Sequence, residues 1–223
     1  MTSAGRPSLV VFDCDGVLVD SERLEPGTLA EALTRVDGGE QLDAAELHRR
    51  HRGRVLTNLF ALVEAELGRP LPESFGSQYR ELQSRRLEEV EEIPGARAAV
   101  DIAVDSGVAR CIVSGGTMAK MRVSLGVTGF WPAFAPHIYS CYDIADHKPS
   151  PGIYLHALER FGADPAGVLA IEDSVVGVTA AARAGVEVIG LARDTAAVEL
   201  AEAGASLVVD SMDEFATLLT ERL

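Results

Sequence analysis

Residues 9–16 read Leu9-Val10-Val11-Phe12-Asp13-Cys14-Asp15-Gly16. An apolar run followed by carboxylates and a glycine is typical of a buried strand that ends at a reactive site. Three later segments also place polar groups after apolar residues or in a loop: Cys111-Ile112-Val113-Ser114, Lys148-Pro149 and Leu169-Ala170-Ile171-Glu172-Asp173-Ser174. If the apolar runs are neighbouring parallel strands, these groups meet at one edge of the sheet, where open α/β folds place their sites.

The second half of the chain alternates short apolar runs with helical patterns. The runs are continuous rather than alternating, which indicates strands covered on both faces by helices. They are Ala109–Val113, Ile138–Ser140, Val168–Ile171, Val186–Leu191 and Leu207–Val209. Together with Leu9–Phe12 they predict an α/β fold with a Rossmann-like, doubly wound parallel sheet.

The segment between the first two predicted strands contains helical patterns only. These cover Thr28–Val36, Ala44–Arg50, Val55–Leu67 and Glu73–Val90. We therefore expect two domains, a sheet core formed by residues 1–19 and 89–223 and an inserted α-helical domain formed by residues 20–88. We call residues 20–88 the helical insert.

Composition limits the classes of partner. The chain has 223 residues, 47% of them hydrophobic, and a formal net charge of −14. That charge argues against nucleic acid, which needs a basic face, and no segment has the length of a membrane span. Three cysteines without metal-ligand spacing indicate reduced thiols. We expect a soluble, cytoplasmic protein, and the sequence assigns no oligomeric state.

The first acidic pair, Asp13 and Asp15, suits phosphoryl transfer. A carboxylate at Asp13 can attack phosphorus and form an acyl phosphate that water later hydrolyses. Asp15, two residues on, shares a face with Asp13 in an extended segment and suits a general acid and base. The structural alternative is that both residues form a helix N-cap or an Asx turn.

The second acidic pair, Glu172 and Asp173, predicts a metal site together with the first. Carboxylates about 4 Å apart repel each other by about 4 kcal/mol at an effective dielectric of 20, so a cluster of them favours a cation. Oxygen ligands without clustered histidines or cysteines select a hard ion, and Mg²⁺ fits. The alternative is a helix start, where acidic residues favour the positive end of the helix dipole.

Lys148 and the segment Ser114-Gly115-Gly116 supply groups that bind anions. The Lys148 ammonium can hold a phosphoryl group, and the Ser114 hydroxyl with the amides of Gly115 and Gly116 can form an anion nest. The alternatives are a solvated lysine before Pro149 and a glycine pair that serves only the turn.

In order and spacing, these motifs resemble the haloacid dehalogenase-like hydrolases over essentially the whole chain. The resemblance is to the branch with a helical cap after the first strand, which includes β-phosphoglucomutase and sugar-phosphate phosphatases. It rests on residues 12–22, Ser114, Lys148-Pro149-Ser150-Pro151 and Glu172-Asp173-Ser174-Val175-Val176-Gly177. Where relatives often carry Asn or Ser after the serine, this chain has Gly115-Gly116.

The resemblance implies a role for each site residue. Asp13 is the phosphorylated nucleophile, Asp15 the acid and base, and Ser114 and Lys148 hold the phosphoryl group. Mg²⁺ is bound by the Asp13 side chain, the Asp15 backbone carbonyl and Asp173, with Glu172 nearby. The implied activity is a magnesium-dependent phosphatase acting on a small phosphorylated metabolite, a sugar or sugar-acid phosphate.

Two arginines suggest how the substrate is selected. Arg52 and Arg54 flank Gly53, where the resemblance places the specificity loop of the cap. Guanidinium groups bind carboxylates bidentately, so Arg54 is a candidate substrate-binding residue and 6-phosphogluconate a first substrate to test. The alternative is that both arginines are solvated.

Two other functions compete with a phosphatase. A phosphosugar mutase needs a second phosphate site in the cap, and the arginine that serves it in β-phosphoglucomutase is displaced around Gly53 here. A non-enzymatic phospho-acceptor module combines similar residues, but it carries the acceptor on a middle strand and has no cap.

Overall fold

The computed structural model describes residues 5–51 and 56–223. Residues 52–55 lie outside the described residues. The predicted substrate-binding residue Arg54 is one of them, so the structure does not test that prediction. The described strands are β1 (Leu9–Phe12), β2 (Ala109–Ser114), β3 (Ile138–Ser140), β4 (Val168–Glu172), β5 (Glu187–Leu191) and β6 (Leu207–Val209).

The described part of the chain contains twelve α-helices. They are α1 (Glu25–Leu33), α2 (Ala44–His51), α3 (Leu56–Leu67), α4 (Phe75–Arg86), α5 (Ala96–Asp105), α6 (Met118–Val127), α7 (Trp131–Phe134), α8 (Cys141–Ile144), α9 (Gly152–Phe161), α10 (Val175–Arg183), α11 (Ala197–Ala203) and α12 (Met212–Arg222). The helix predicted over Glu73–Val90 begins later and ends at Arg86, before a 3₁₀ turn.

The strands form one sheet in the order β3-β2-β1-β4-β5-β6, with every pair parallel. This confirms the predicted Rossmann-like α/β fold. β1 lies between β2 and β4, and Phe12 is in register with Ile112 on one side and Ile171 on the other. The residues that follow β1 and β4 therefore leave the sheet together.

Hydrophobic clusters cover both faces of the sheet. Along β1, Val10 and Phe12 belong to the cluster on one face, and Leu9 and Val11 to the cluster on the other. Phe12 packs edge-on against the ring of Phe134, with ring centroids 5.4 Å apart. Burial on both faces explains why the strands read as continuous apolar runs.

The helical insert has a hydrophobic cluster of its own, formed by α1–α4. The chain enters and leaves it through two adjacent segments, because Asp20 N–H donates to Glu91 O at 2.9 Å and Ile93 N–H donates to Leu18 O at 3.0 Å. Leu87, near the end of the insert, packs with the sheet core. We propose residues 20–88 as a separate domain on the basis of this cluster and these paired connections.

Within residues 5–51 and 56–223, no helix has both the length and the apolar character needed to cross a membrane.

Candidate active site

The ends of three adjacent strands bring the predicted site residues together. Asp13 follows β1, Ser114 is the last residue of β2, and Glu172 is the last residue of β4. Asp13 is held in place by its backbone, since its N–H donates to Ile171 O at 3.1 Å. The register of the parallel strands thus places Asp13 beside Glu172 and Asp173.

Lys148 reaches the same point from the loop between α8 and α9. Its Nζ donates to Asp13 Oδ1 and to Glu172 Oε1, each at 2.6 Å, and to Val113 O at 3.3 Å. Burial would lower the pKa of Lys148, but the carboxylates of Asp13 and Glu172 outweigh it and raise that pKa above its usual range. Lys148 is therefore a fixed positive charge beside Asp13.

Asp13 carries an unfavourable negative charge in this setting. Burial and the neighbouring Glu172 carboxylate raise the pKa of Asp13 to about 8, against the opposing effect of Lys148. Asp13 and Glu172 share the ammonium group of Lys148, and the buried carboxylate of Asp173 lies close to both of them. A cation beside the cluster would favour the ionised form of Asp13.

The carboxylate cluster has the chemistry of a magnesium site. Asp13, Glu172 and Asp173 are buried, and one carboxylate oxygen of each lies within 4.8 Å of the others. Among the described residues, Glu172 Oε2 is buried without a hydrogen-bond partner. All the donors are oxygens, as a hard dication prefers. These residues fit the predicted metal.

Two glycines leave the space that the acidic side chains occupy. A β-carbon at Gly16 would overlap the carboxylate of Asp173, and one at Gly177 would overlap that of Glu172. Gly16 also has a φ of +81°, a conformation that costs glycine little. The glycines of the two acidic motifs are therefore required by close approach.

Asp15 lies on a tight loop after β1. Gly16 N–H closes this loop by donating to Val19 O at 2.9 Å. Asp15 Oδ1 accepts a hydrogen bond from Ser21 Oγ and lies 3.1 Å from Lys120 Nζ. Its side chain is 18% exposed, so it can reach both solvent and substrate.

The predicted anion-binding loop also lies at the site. Ser114 is buried, and its Oγ accepts a hydrogen bond from Gly116 N–H at 2.9 Å. Ser140 Oγ donates to Gly116 O at 2.6 Å, which fixes the turn. The turn leads into α6, where the side chain of Thr117 accepts from Lys120 N–H at the helix N-terminus.

A pocket joins these groups to the helical insert. Its sheet-core wall includes Asp13, Asp15, Ser114, Gly115, Gly116, Lys148 and Asp173. Its opposite wall includes Glu22, Glu25, His48, Leu59, Tyr79 and Gln83 from the insert. Eight of the predicted site residues are thus brought together, counting the buried Glu172 behind the wall.

Sequence reasoning missed three contacts of the site. Tyr154 of α9 is buried, and its hydroxyl donates to Glu172 Oε1. Lys120 contacts both Asp15 and Glu25. One signal was available for Lys120: of the 20 basic residues in the sequence, only Lys120 and Lys148 are lysines, and both line the pocket.

A family model for the haloacid dehalogenase-like hydrolases matches residues 7–185. The chain belongs to this family. The match covers β1, the helical insert and both acidic motifs, and it confirms the prediction of a hydrolase.

Individual family members are similar over most of their length. The 6-phosphogluconate phosphatase of Escherichia coli is 31% identical over 191 residues, 85% of this chain and 84% of that protein. The phosphorylated carbohydrates phosphatase of Thermotoga maritima is 31% identical over 181 residues, 80% and 82% of the two chains. A family hydrolase from Deinococcus radiodurans, solved with bound phosphate and sodium, is 27% identical with a TM-score of 0.80, covering 98% and 97%.

Proposed function

We propose that this chain is a magnesium-dependent phosphatase that hydrolyses a small phosphorylated metabolite through an aspartyl phosphate on Asp13. The observation that carries the proposal is the placement of Asp13 at the floor of the pocket. Lys148 Nζ lies 2.6 Å from its carboxylate, and Asp15 follows two residues later. A nucleophile, a phosphate-binding cation and an acid thus face one space.

In the first step an oxygen of Asp13 attacks phosphorus, and the bond from phosphorus to the ester oxygen breaks. Asp15 gives its proton to that oxygen, so the leaving group departs as a neutral alcohol. Lys148, Ser114 Oγ and the turn amides of Gly115 and Gly116 hold the phosphoryl oxygens in place during the transfer.

In the second step water attacks the phosphorus of the aspartyl phosphate. Asp15, now ionised, takes a proton from that water, and the bond between phosphorus and Asp13 breaks. Inorganic phosphate leaves, and both aspartates return to their starting forms. The helical insert forms the opposite wall of the pocket. It excludes water from the site until the leaving group has departed.

Asp13 and Asp173 would hold the magnesium ion, together with the backbone carbonyl of Asp15 and with Glu172 nearby. Bound there, the ion neutralises the carboxylates and stabilises negative charge on the phosphoryl oxygens. The buried oxygen cluster and the unpartnered Oε2 of Glu172 support this assignment.

The proposed substrates are sugar or sugar-acid phosphates, with 6-phosphogluconate first. Support comes from the names of the Escherichia coli and Thermotoga maritima relatives. Arg54 adds to it, because the family resemblance implies a specificity loop around Gly53. A cytoplasmic location is proposed on the basis of three free cysteines.

Phosphate release from a panel of phosphorylated metabolites tests the proposal. We expect turnover that requires Mg²⁺, stops on adding a chelator and is abolished in Asp13→Asn, because an amide does not attack phosphorus. Circular dichroism should show that this variant remains folded. More than a few per cent of the unmodified rate in folded Asp13→Asn, or no hydrolysis of any ester by the unmodified enzyme, would refute the assignment.

A further inference from the structure

Lys120 is a partly buried cation between two carboxylates of the pocket. Its Nζ lies 3.1 Å from Asp15 Oδ1 and 3.5 Å from Glu25 Oε1, and its side chain is 16% exposed. The ammonium group of Lys120 thus pairs with one carboxylate of the sheet core and with one of the helical insert.

The two carboxylate oxygens of Asp15 have different surroundings. Oδ1 accepts from Ser21 Oγ and lies against Lys120 Nζ, so its lone pairs are engaged. Oδ2 lies on the side of Gly116, 3.2 Å from the position that a β-carbon on that residue would take. That β-carbon position is also 3.2 Å from Ser114 Oγ, so Oδ2 faces the phosphate-binding turn.

Glu25 fixes Lys120 from the other side of the pocket. Glu25 is buried at the start of α1, its Oε2 accepts from Tyr79 OH at 2.5 Å, and its Oε1 accepts from Gln83 Nε2 at 2.7 Å. Tyr79 and Gln83 both belong to α4. The chain of contacts therefore runs from Asp15 in the sheet core through Lys120 to two helices of the insert.

We propose that Lys120 is a positioning residue, which holds Asp15 Oδ1 so that the proton on Oδ2 is directed at the leaving-group oxygen, and which Glu25 ties to the helical insert. This inference rests on the proposed phosphatase function. The ammonium group suits the task because it is a compact charge on a flexible stem, whereas a planar guanidinium would occupy more of the pocket.

A pair of aryl phosphates of nearly equal shape isolates the proton transfer. Phenyl phosphate has a basic leaving group that needs protonation, and 4-nitrophenyl phosphate has a stable one that does not. The kcat/KM value reports the steps up to transfer to Asp13, so it is independent of the later hydrolysis. We expect Lys120→Met to lower kcat/KM for phenyl phosphate by about 10- to 100-fold, part of what general acid catalysis contributes. For 4-nitrophenyl phosphate the same substitution should change it by less than about threefold.

Three further variants serve as comparisons for Lys120→Met. Asp15→Asn should also lower kcat/KM selectively for phenyl phosphate, and by a larger factor than Lys120→Met does. Arg122 belongs to the same helix as Lys120, but its guanidinium group lies over the Trp131 ring, away from the pocket. Arg122→Met should therefore leave kcat/KM unchanged for both esters. Lys120→Gln, which keeps a hydrogen-bond donor, should show a smaller selective loss than Lys120→Met.

Each outcome decides between the inference and its alternatives. Equal losses on the two esters in Lys120→Met would make the contact merely structural and overturn the positioning role. Loss of the folded state in both Lys120 variants, seen by thermal melting, would also overturn it. Failure of the unmodified enzyme to hydrolyse any phosphate ester would instead refute the proposed function.

Discussion

The carboxylate of Glu172 occupies the space that a β-carbon on Gly177, in the first turn of α10, would take. A β-carbon at Gly177 would overlap Glu172 Oε2, while Glu172 Oε1 accepts from Lys148 and Tyr154. The acidic residue at the end of β4 is thus held between a glycine and two donors. Glu172 in turn helps to hold the ammonium group of Lys148 beside Asp13, because Lys148 Nζ donates to both carboxylates.

Gly177→Ala should therefore damage both the fold and the metal site. We expect the free energy of unfolding in urea to fall by about 1–3 kcal/mol, the cost of overpacking a buried position. Calorimetry should show weaker Mg²⁺ binding, because the displaced Glu172 disturbs the cluster. Gly126→Ala is the matched control, since nothing lies within 4 Å of its new β-carbon in α6. That variant should be stabilised by about 0.5–1 kcal/mol, and equal effects of the two would contradict the packing argument.

Tyr154→Phe removes one donor from the buried Glu172 carboxylate. A hydrogen bond to a charged group contributes about 1.5–3 kcal/mol, so we expect a loss of that size in the free energy of unfolding. Tyr139→Phe is the control, because the Tyr139 hydroxyl contacts His137 Nδ1 at 3.2 Å in a partly exposed site. The loss in Tyr139→Phe should be smaller, and a loss as large as that in Tyr154→Phe would argue against a special role for Tyr154.

Asp173→Asn and Asp15→Asn should separate metal binding from proton transfer. Asp173→Asn removes a charged oxygen from the buried cluster, and we expect Mg²⁺ affinity measured by calorimetry to fall at least about tenfold. Asp15→Asn should bind Mg²⁺ as the unmodified protein does and lose turnover, because the proposed metal contact is its backbone carbonyl. Loss of Mg²⁺ binding in Asp15→Asn would overturn this division of roles.

Arg54→Ala tests the preference for a sugar acid. A bidentate contact between Arg54 and the substrate carboxylate should be worth about ten- to a hundredfold in kcat/KM, so 6-phosphogluconate should lose that factor. Glucose 6-phosphate, which lacks the carboxylate, should be hydrolysed with nearly the same kcat/KM by both proteins. Equal kcat/KM for the two substrates, unaffected by the substitution, would discard 6-phosphogluconate and leave the phosphatase class in place.

The three cysteines should react only when the protein opens. Cys14, Cys111 and Cys141 are free and buried, and burial raises the pKa of each thiol. Because the thiolate is the reactive form, a disulfide reagent at neutral pH should label the native protein slowly and the urea-unfolded protein at once. Rapid labelling of native protein would mean that the strand ends open without global unfolding.

The sequence alone determined the sheet and the position of the proposed catalytic groups at its edge. Continuous apolar runs identify strands buried on both faces, and polar residues placed directly after them lie at one edge whenever the strands are parallel. Asp13, Ser114 and Glu172 could be located in this way because each is fixed by its own strand. Lys148 was predicted from its charge and from the proline that follows it, and the family resemblance then gave it the same role, although its loop has no strand pattern.

Only the tertiary structure decided which side chains support those groups. Lys120 contacts Glu25 across 95 positions of sequence, and Tyr154 reaches Glu172 from a neighbouring helix. Such contacts leave no period or spacing in the sequence, because they depend on how helices pack over the sheet and on which face each turns inward. In a helical pattern, Lys120 and Glu25 would be taken for solvated residues and Tyr154 for a core residue. Their roles depend on their positions around the pocket and the carboxylate cluster, which only the packing of the helices shows.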